Sequence, residues 1–319
     1  MYKQYRFVAA LIILLLTFSA ASAQKKKKTT HKSGDRVMWE QVNIGQRDLF
    51  LGPGGSAMRP NITRVKFIKE EKSGFNKKYR ISDANGRVWV AKLGREARSE
   101  TAAVRLLWAL GYKTEVNYLV PLITIPGKGT HKNVRLEARR DSVERLDEWK
   151  WKDNPFIGTN EFQGLKMMMV LFNNWDIVDV QNKILLVDGP DGPESQYIIS
   201  DLGATFGRLG NNNLPIIYRL GRSIGKPAHY IKSKFIKGSE NGIVKLAYKG
   251  KNRGLFKGIT IAQALWLSNR LNQLSDRQIH DAFRAANFTP SEIDTYVRAV
   301  KNKINDLDQI ANGRRLALQ

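Results

Sequence analysis

The stretch Tyr197-Ile-Ile-Ser-Asp-Leu-Gly-Ala-Thr-Phe-Gly207 is the part of this chain that decides its fold. Residues 197–200 form a short apolar run that is typical of a β-strand, and the chain must turn soon afterwards at Gly203. Asp201 therefore follows directly after a predicted strand. A carboxylate in such a turn is a candidate ligand for a divalent cation, and the same position also suits an aspartate that only hydrogen-bonds its own turn.

A second acidic and amide-rich run, Asn173-Asn-Trp-Asp-Ile-Val-Asp-Val-Gln-Asn182, lies upstream of this stretch. Asp176 falls in the loop after a predicted helix, and we expect the tryptophan before it to anchor that loop in the core. Asp176 and Asp201, with Gln181 or Asn182 between them, form a set of hard oxygen ligands. Such a set suits Mg²⁺ or Mn²⁺ that keeps some of its water.

A lysine ends an alternating strand, in Val90-Ala-Lys92. A lysine that points inward among apolar neighbours needs an anionic partner. Glu100 provides one, because it shares the buried face of the helix predicted for residues 100–111. Glu96, one turn earlier on the same face, is the competing candidate.

Two glycine-containing loops are candidates for a phosphate clamp. Leu51-Gly-Pro-Gly-Gly-Ser56 precedes the first strand and lacks the Lys-Ser/Thr pair of a P-loop. The loop of residues 72–78, which contains Gly74, joins the two strands before the Lys92 strand. Its backbone amides and lysines are placed to cover nucleotide phosphates, and it is equally consistent with an ordinary basic hairpin loop.

Strand signals dominate residues 37–126, and helical signals dominate residues 127–319. This order predicts an α+β fold in two lobes, the first strand-rich with one helix and the second mostly helical. Asn160 is the expected N-cap of a buried helix whose methionines we interpret as core filler. Three capping boxes mark later helix starts, and they pair Thr260 with Gln263, Ser275 with Gln278 and Thr289 with Glu292.

The order and spacing of these elements resemble the atypical branch of the protein-kinase-like superfamily: the HipA-like, phosphoinositide-3-kinase-like and secretory-pathway kinases and their bacterial relatives. The resemblance covers residues 62–207 by motif and continues to about residue 310 through the helical tail. It implies a two-lobed kinase-like fold with a strand-rich N-lobe and a helical C-lobe. The helix that ends in Trp108-Ala-Leu-Gly-Tyr112 is similar to the αC helix of these kinases.

The resemblance also implies a role for each candidate residue. Lys92 would hold the nucleotide phosphates, and Glu100 would orient that lysine. Asp176 would be the catalytic-loop aspartate, while Asp201 and Asn182 (or Gln181) would be the metal ligands.

Three features depart from the pattern of typical kinases. The chain has no Gly-x-Gly-x-x-Gly loop, and Asn174-Trp-Asp176 stands in place of His-Arg-Asp. The usual interval of five residues after the catalytic aspartate falls on Gln181, with Asn182 one residue further. The second metal site therefore differs from that of typical kinases, whichever of the two side chains serves it.

The N-terminal residues predict export. A basic start, an apolar run and Ala21-Ser-Ala23 form a Sec-type signal peptide over residues 1–23. Residues 24–36 are predicted to be a disordered basic linker, in which the run Lys25-Lys-Lys-Lys28 is a candidate contact for an anionic membrane surface. Because the chain has no cysteine, a bacterial periplasmic or extracellular location is expected.

The formal net charge of +24 favours anionic partners. The sequence carries no nucleic-acid-binding module, no His-Glu-x-x-His zinc motif and no Gly-x-Ser-x-Gly nucleophile elbow. We therefore predict an exported kinase-like phosphotransferase that uses ATP or another nucleotide with Mg²⁺ or Mn²⁺. The acceptor stays open among protein, lipid, sugar and nucleotide. The alternative is a catalytically inactive kinase-like protein whose basic surface binds an anionic partner.

Overall fold

The computed structural model describes residues 34–72, 76–210 and 221–313. The predicted signal peptide (1–23), the lysine run at 25–28 and Gly74 lie outside these ranges. Within them, no helix is both long enough and apolar enough to cross a bilayer.

The N-terminal lobe is built on a five-stranded antiparallel sheet in the order β2-β3-β4-β6-β5. Its strands are β2 (Lys66–Glu71), β3 (Lys78–Ser82), β4 (Val88–Lys92), β5 (Asn117–Ile125) and β6 (Gly129–Ala138). The apolar side of this sheet forms a core of its own, with Trp89 fully buried. The indole of Trp89 donates a hydrogen bond to Asp83 in the turn between β3 and β4 (3.0 Å), which fixes that hairpin.

The helix of this lobe, α1 (Glu96–Ala109), packs against β5 and β6. Its buried face includes Ala103, Leu106 and Leu107, as the spacing of apolar residues predicts. The helix starts earlier than residue 100, so Glu96 and Glu100 both lie within it. Gly111 follows the helix with φ of 98°, in the left-handed region that favours glycine.

The C-terminal lobe contains most of the helices. These are α2 (Asn160–Leu171), α3 (Pro227–Tyr230), α4 (Ile261–Leu271), α5 (Asp276–Ala285) and α6 (Pro290–Ala311). All three predicted capping boxes form, at the starts of α4, α5 and α6. The N-cap of α2 is Thr159 and not Asn160, because the Thr159 hydroxyl accepts the amide of Phe162. The α2 methionines are buried core residues, as expected.

This lobe also contains a four-stranded sheet in the order β1-β9-β8-β7 and a separate hairpin, β10–β11. The strands are β1 (Asp35–Val37), β7 (Glu144–Arg145), β8 (Asn182–Gly189), β9 (Gly192–Ile199), β10 (Ile236–Glu240) and β11 (Ile243–Leu246). β1 pairs in parallel with β9. The linker predicted for residues 24–36 therefore extends too far, since its last two residues belong to a strand.

The lobe boundary predicted between residues 126 and 127 is also displaced. It falls in the turn between β5 and β6, and β6 pairs with both β4 and β5. The N-terminal sheet consequently continues to Ala138. The sequence signals a strand at residues 134–138 but carries no local information about which strands it joins.

We predict that Gly111→Ala destabilises the protein by about 3 kcal/mol, because a Cβ at this position would overlap the carbonyl oxygen of Glu40 and the backbone is left-handed. Gly127→Ala is the matched control. Its φ is 70°, but no atom lies within 4 Å of a Cβ there, so only backbone strain of about 1 kcal/mol is expected. Urea unfolding of both variants measures the difference, and equal losses would contradict the proposed close approach.

Candidate active site in the interlobe cleft

The two lobes face each other across a cavity of about 640 Å³, here called the interlobe cleft, which has the size of a small-molecule site. Its N-lobe wall comes from β3, β4 and β6, and its C-lobe wall from the loops before β8 and after β9. Nearly all lining residues are polar or charged, and Val90 and Val180 are the apolar ones. The cleft brings together Lys92, Asp176, Gln181 and Asp201 from the sequence-predicted set.

Lys92 is buried at the end of β4 and contacts three carboxylates. Its Nζ lies 2.9 Å from Glu100 Oε2, 3.0 Å from Glu96 Oε2 and 3.1 Å from Asp201 Oδ1. Both candidate partners on the helix are therefore used, although only Glu100 is fully buried. Burial alone would lower the pKa of Lys92, but the charges of Glu100 and Asp201 raise it above its usual value, so the lysine stays charged.

Glu100 is shared between two cations. Its second oxygen, Oε1, lies 2.9 Å from a guanidinium nitrogen of Arg135, and Arg135 is the cross-strand neighbour of Lys92. Complete burial raises the pKa of Glu100 to about 7, against the opposing charges of Arg135 and Lys92. No motif in the sequence selects Arg135.

The ion-pair network continues from Arg135 toward the segment that joins the lobes. Arg135 lies 2.7 Å from Glu137, which also contacts Arg139 and Arg145, and Arg145 contacts the buried Glu115. Burial would raise the pKa of Glu137, but the three arginines around it hold that pKa well below its usual range. Sequence reasoning missed this network. Its one local signal is the alternation in Val134-Arg-Leu-Glu137, which places two charged residues on one face of a strand.

Asp201 lies in the turn directly after β9. Its Oδ1 accepts hydrogen bonds from the amide of Gly203 (3.0 Å) and from Lys92, and its side chain is 38% exposed toward the cleft. Burial would raise the pKa of Asp201, but Lys92 and the Gly203 amide lower it, so the carboxylate is ionised. Gly203 packs against helix α1, where a Cβ would lie 2.7 Å from that of Glu96.

Asp176 lies in the loop after α2. Its Oδ2 accepts a hydrogen bond from the side-chain amide of Gln181 (3.1 Å), and its Oδ1 lies 2.5 Å from Nζ of Lys251. Asn174 and Ile177 are the residues that this loop buries, and not Trp175 as expected. Trp175 is half-buried, with the guanidinium of Arg222 4.0 Å from its ring centre.

Of the two metal-ligand candidates, the structure brings Gln181 to the cleft and places Asn182 elsewhere. Gln181 lines the cleft and touches Asp176. Asn182 starts β8, is fully buried, and donates its side-chain amide to the carbonyl of Trp149 (2.9 Å). The interpretation of Asn182 as a ligand is corrected, because the step into β8 turns its side chain toward the core.

The loops that carry the two aspartates are joined by hydrogen bonds. The amide of Ser200 donates to Gln181 O (2.8 Å), and the amide of Phe206 donates to Phe172 O (2.8 Å). The side chain of Asn173 donates to the carbonyl of Gly207 (2.7 Å). These bonds fix the two turns relative to each other, and thereby the positions of their carboxylates.

The donor set in the cleft suits a divalent cation bound together with phosphate. Among the described residues, no group of three or more histidines, aspartates and glutamates is placed to hold a metal by itself. Mg²⁺ is commonly held by one or two carboxylates, with waters and substrate phosphates as further ligands. Asp201, Gln181 and Asp176 offer oxygen ligands of this kind, and the Asp201 carboxylate is open to the cleft.

The loop predicted to cover phosphates is described only at its ends. Gly74 lies outside the described residues, while Asn76 and Lys78 line the cleft. Asn76 donates a hydrogen bond to Glu96, which ties this end of the loop to helix α1.

The architecture is that of a two-lobed, kinase-like α+β fold. It is similar to the structure of the Helicobacter pylori proinflammatory kinase CtkA, with a TM-score of 0.50 and 13% sequence identity over 82% of this chain and 99% of that one. No protein-family model matches the sequence, and no curated protein matches it. At this identity the similarity establishes the fold alone, and membership of the atypical kinase branch stays a prediction.

The raised pKa of Glu100 predicts a pH-dependent stability. The folded state holds the proton of the Glu100 carboxyl more tightly than the unfolded chain does, where the pKa is 4.5. The contribution of this proton to the free energy of unfolding is therefore complete below pH 4.5 and is lost as the pH rises through about 7. The loss is on the order of 3 kcal/mol. Glu100→Gln should remove this pH-dependent loss of stability, whereas Glu70→Gln, at an exposed position on β2, should keep it. Urea unfolding at about pH 5 and about pH 8 measures it, and parallel pH profiles for wild type and Glu100→Gln would refute the assignment.

Proposed function

We propose that this protein is a kinase-like phosphotransferase that binds a nucleoside triphosphate, such as ATP, with Mg²⁺ or Mn²⁺ in the interlobe cleft. The observation that carries the proposal is the contact of one buried lysine, Lys92, with Glu100 from helix α1 and with Asp201 from the other lobe. Buried charges are costly unless they are paired, and such clusters occur preferentially at functional sites.

The residues in the cleft can divide the work of phosphoryl transfer. Lys92 would hold the phosphates, Glu100 would position Lys92, and Asp201 with Gln181 would hold the cation. Asp176 would orient the acceptor hydroxyl and receive its proton as the oxygen bonds to the terminal phosphorus and the bond to the nucleotide breaks. The cation would neutralise charge on the phosphates. This arrangement relies on positioning and electrostatics, which supply most of the catalysis in this reaction class.

The second candidate is a binding protein with the same fold and no turnover. Two observations favour it: Gln181 stands where typical kinases have asparagine, and both oxygens of Asp176 are already in contact with Gln181 and Lys251. The two candidates differ in turnover. A protein that binds nucleotide without transferring phosphate to any acceptor or to water would support the second.

Lys92→Ala should abolish the rise in melting temperature that ATP with Mg²⁺ or Mn²⁺ gives the wild type, since the cation facing the phosphates is lost. The fold should survive, because Arg135 still neutralises Glu100 and keeps the loss of stability below about 3 kcal/mol. Lys132→Ala, at an exposed position on β6, is the matched control and should bind like wild type. An unchanged thermal shift in Lys92→Ala would show that the nucleotide phosphates do not bind beside Lys92.

The two aspartates should respond differently to replacement by asparagine. Asp201→Asn should weaken divalent-dependent nucleotide binding together with turnover. Asp176→Asn should leave nucleotide binding nearly intact and reduce turnover by roughly 10²–10⁴-fold, the scale of a positioned acid–base group. Asp188→Asn, at an exposed position on β8, should change neither. Calorimetric binding and phosphate-transfer assays on the three variants test this, and equal binding losses in Asp201→Asn and Asp176→Asn would make both residues metal ligands.

A further inference from the structure

One segment of the C-terminal lobe is far more basic than its surroundings. Residues 226–257, here called the basic segment, contain eight lysines and Arg253 against a single acidic residue, Glu240. All nine cationic side chains are exposed. The segment includes α3, the β10–β11 hairpin and the loop that follows it. Because it holds one carboxylate for nine cations, it cannot neutralise its own charge.

The basic segment is fixed directly to the loop that carries Asp176. The amide of Lys251 donates to Trp175 O (3.0 Å), and the side chain of Asn252 donates to Ile177 O (2.8 Å). Gly250 packs against the same backbone, where a Cβ would lie 2.6 Å from the Cα of Trp175. The contact of Lys251 with Asp176 is therefore held by the backbone on both sides of the aspartate.

We propose that the basic segment is the acceptor-binding surface of this protein and that its acceptor is an acidic polypeptide. The proposal rests on the proposed function, because it takes Asp176 as the group that meets the acceptor hydroxyl. An acceptor at Asp176 would lie beside the segment attached to this loop, whose exposed lysines present positive charge. Complementary charge of this kind guides encounter and selects the partner.

The surroundings of these cations favour a polypeptide over a membrane or a nucleic acid. Membrane-surface binding combines basic residues with inserted apolar side chains, and Ile231 is the one large hydrophobic residue of this described segment that is exposed. Single-stranded nucleic acids are held by stacking on exposed aromatic rings. The aromatic residues of the segment instead pack inward: Tyr230, Phe235 and Phe256 are buried and Tyr248 stacks on Phe256.

The test measures binding of defined probes to the full chain by fluorescence anisotropy. The probes are a peptide with one serine flanked by aspartates and glutamates, and the same peptide with asparagines and glutamines in their place. We expect the acidic peptide to bind at least about tenfold more tightly, with an affinity that falls as salt is raised. Phosphatidylserine vesicles and a single-stranded DNA oligonucleotide are measured in parallel.

The variant that tests the surface is the triple substitution Lys232→Ala, Lys234→Ala and Lys237→Ala, all at exposed positions away from the cleft lining. It should weaken acidic-peptide binding by about tenfold or more and leave the nucleotide-induced thermal shift unchanged. The matched control replaces three exposed cations elsewhere by alanine: Lys66, Lys132 and Arg277. Its affinity for the acidic peptide should fall by less than about twofold.

Equal affinity for the acidic and neutral peptides would overturn the proposal, as would equal losses in the two triple variants. Vesicles or DNA that bind more tightly than the acidic peptide, through the same three lysines, would overturn the proposal that the partner is a polypeptide. The nucleotide-induced thermal shift of the wild type reports separately on the proposed function. Its absence would refute nucleotide binding without changing the peptide result.

Discussion

The carboxylate of Glu100, held between Lys92 and Arg135, is the interaction on which the cleft depends. It joins helix α1 to two neighbouring strands of the N-terminal sheet, and Lys92 extends the connection to Asp201 in the other lobe. Replacing a single member of such a buried cluster removes part of the compensation for its neighbours' charges, which costs more than an exposed ion pair contributes. The positions of the helix, the sheet and the Asp201 turn are therefore set together.

The local signals in the sequence were sufficient to select those cleft residues whose position depends on their own strand or turn. Lys92 ends an alternating strand, and Asp201 follows an apolar one, so both could be selected from neighbours a few residues away. Arg135 and Lys251 could not, because Glu100 and Asp176 lie far from them along the chain. The alternation around Arg135 marks one face of a strand but does not show what that face contacts. The sequence left Gln181 and Asn182 both open for another reason: a step of one residue at the start of a strand turns the side chain to the opposite face.

Helix α1 is held from the C-terminal lobe as well as from its own sheet. Arg98 pairs with Glu292 at 2.7 Å and lies over the ring of Phe288, 3.7 Å from its centre. The side chain of Gln278 on α5 donates to the carbonyl of Ile44, in the segment that precedes the N-terminal sheet. None of these residues lines the cleft, so the position of helix α1 does not rely on the Lys92 cluster alone.

The composition of the cleft wall constrains how an anionic ligand can enter. Lys92 already faces three carboxylates, and Asp201 is ionised and open to the cleft. A phosphate beside Lys92 would therefore meet the negative charge of Asp201 at close range, where the low local dielectric strengthens repulsion. Under the proposed function, phosphate binding and neutralisation of Asp201 must occur together. On that proposal, a strong dependence of nucleotide binding on a divalent cation would follow from this ion-pair cluster, and it would hold whether or not Asp176 supports turnover.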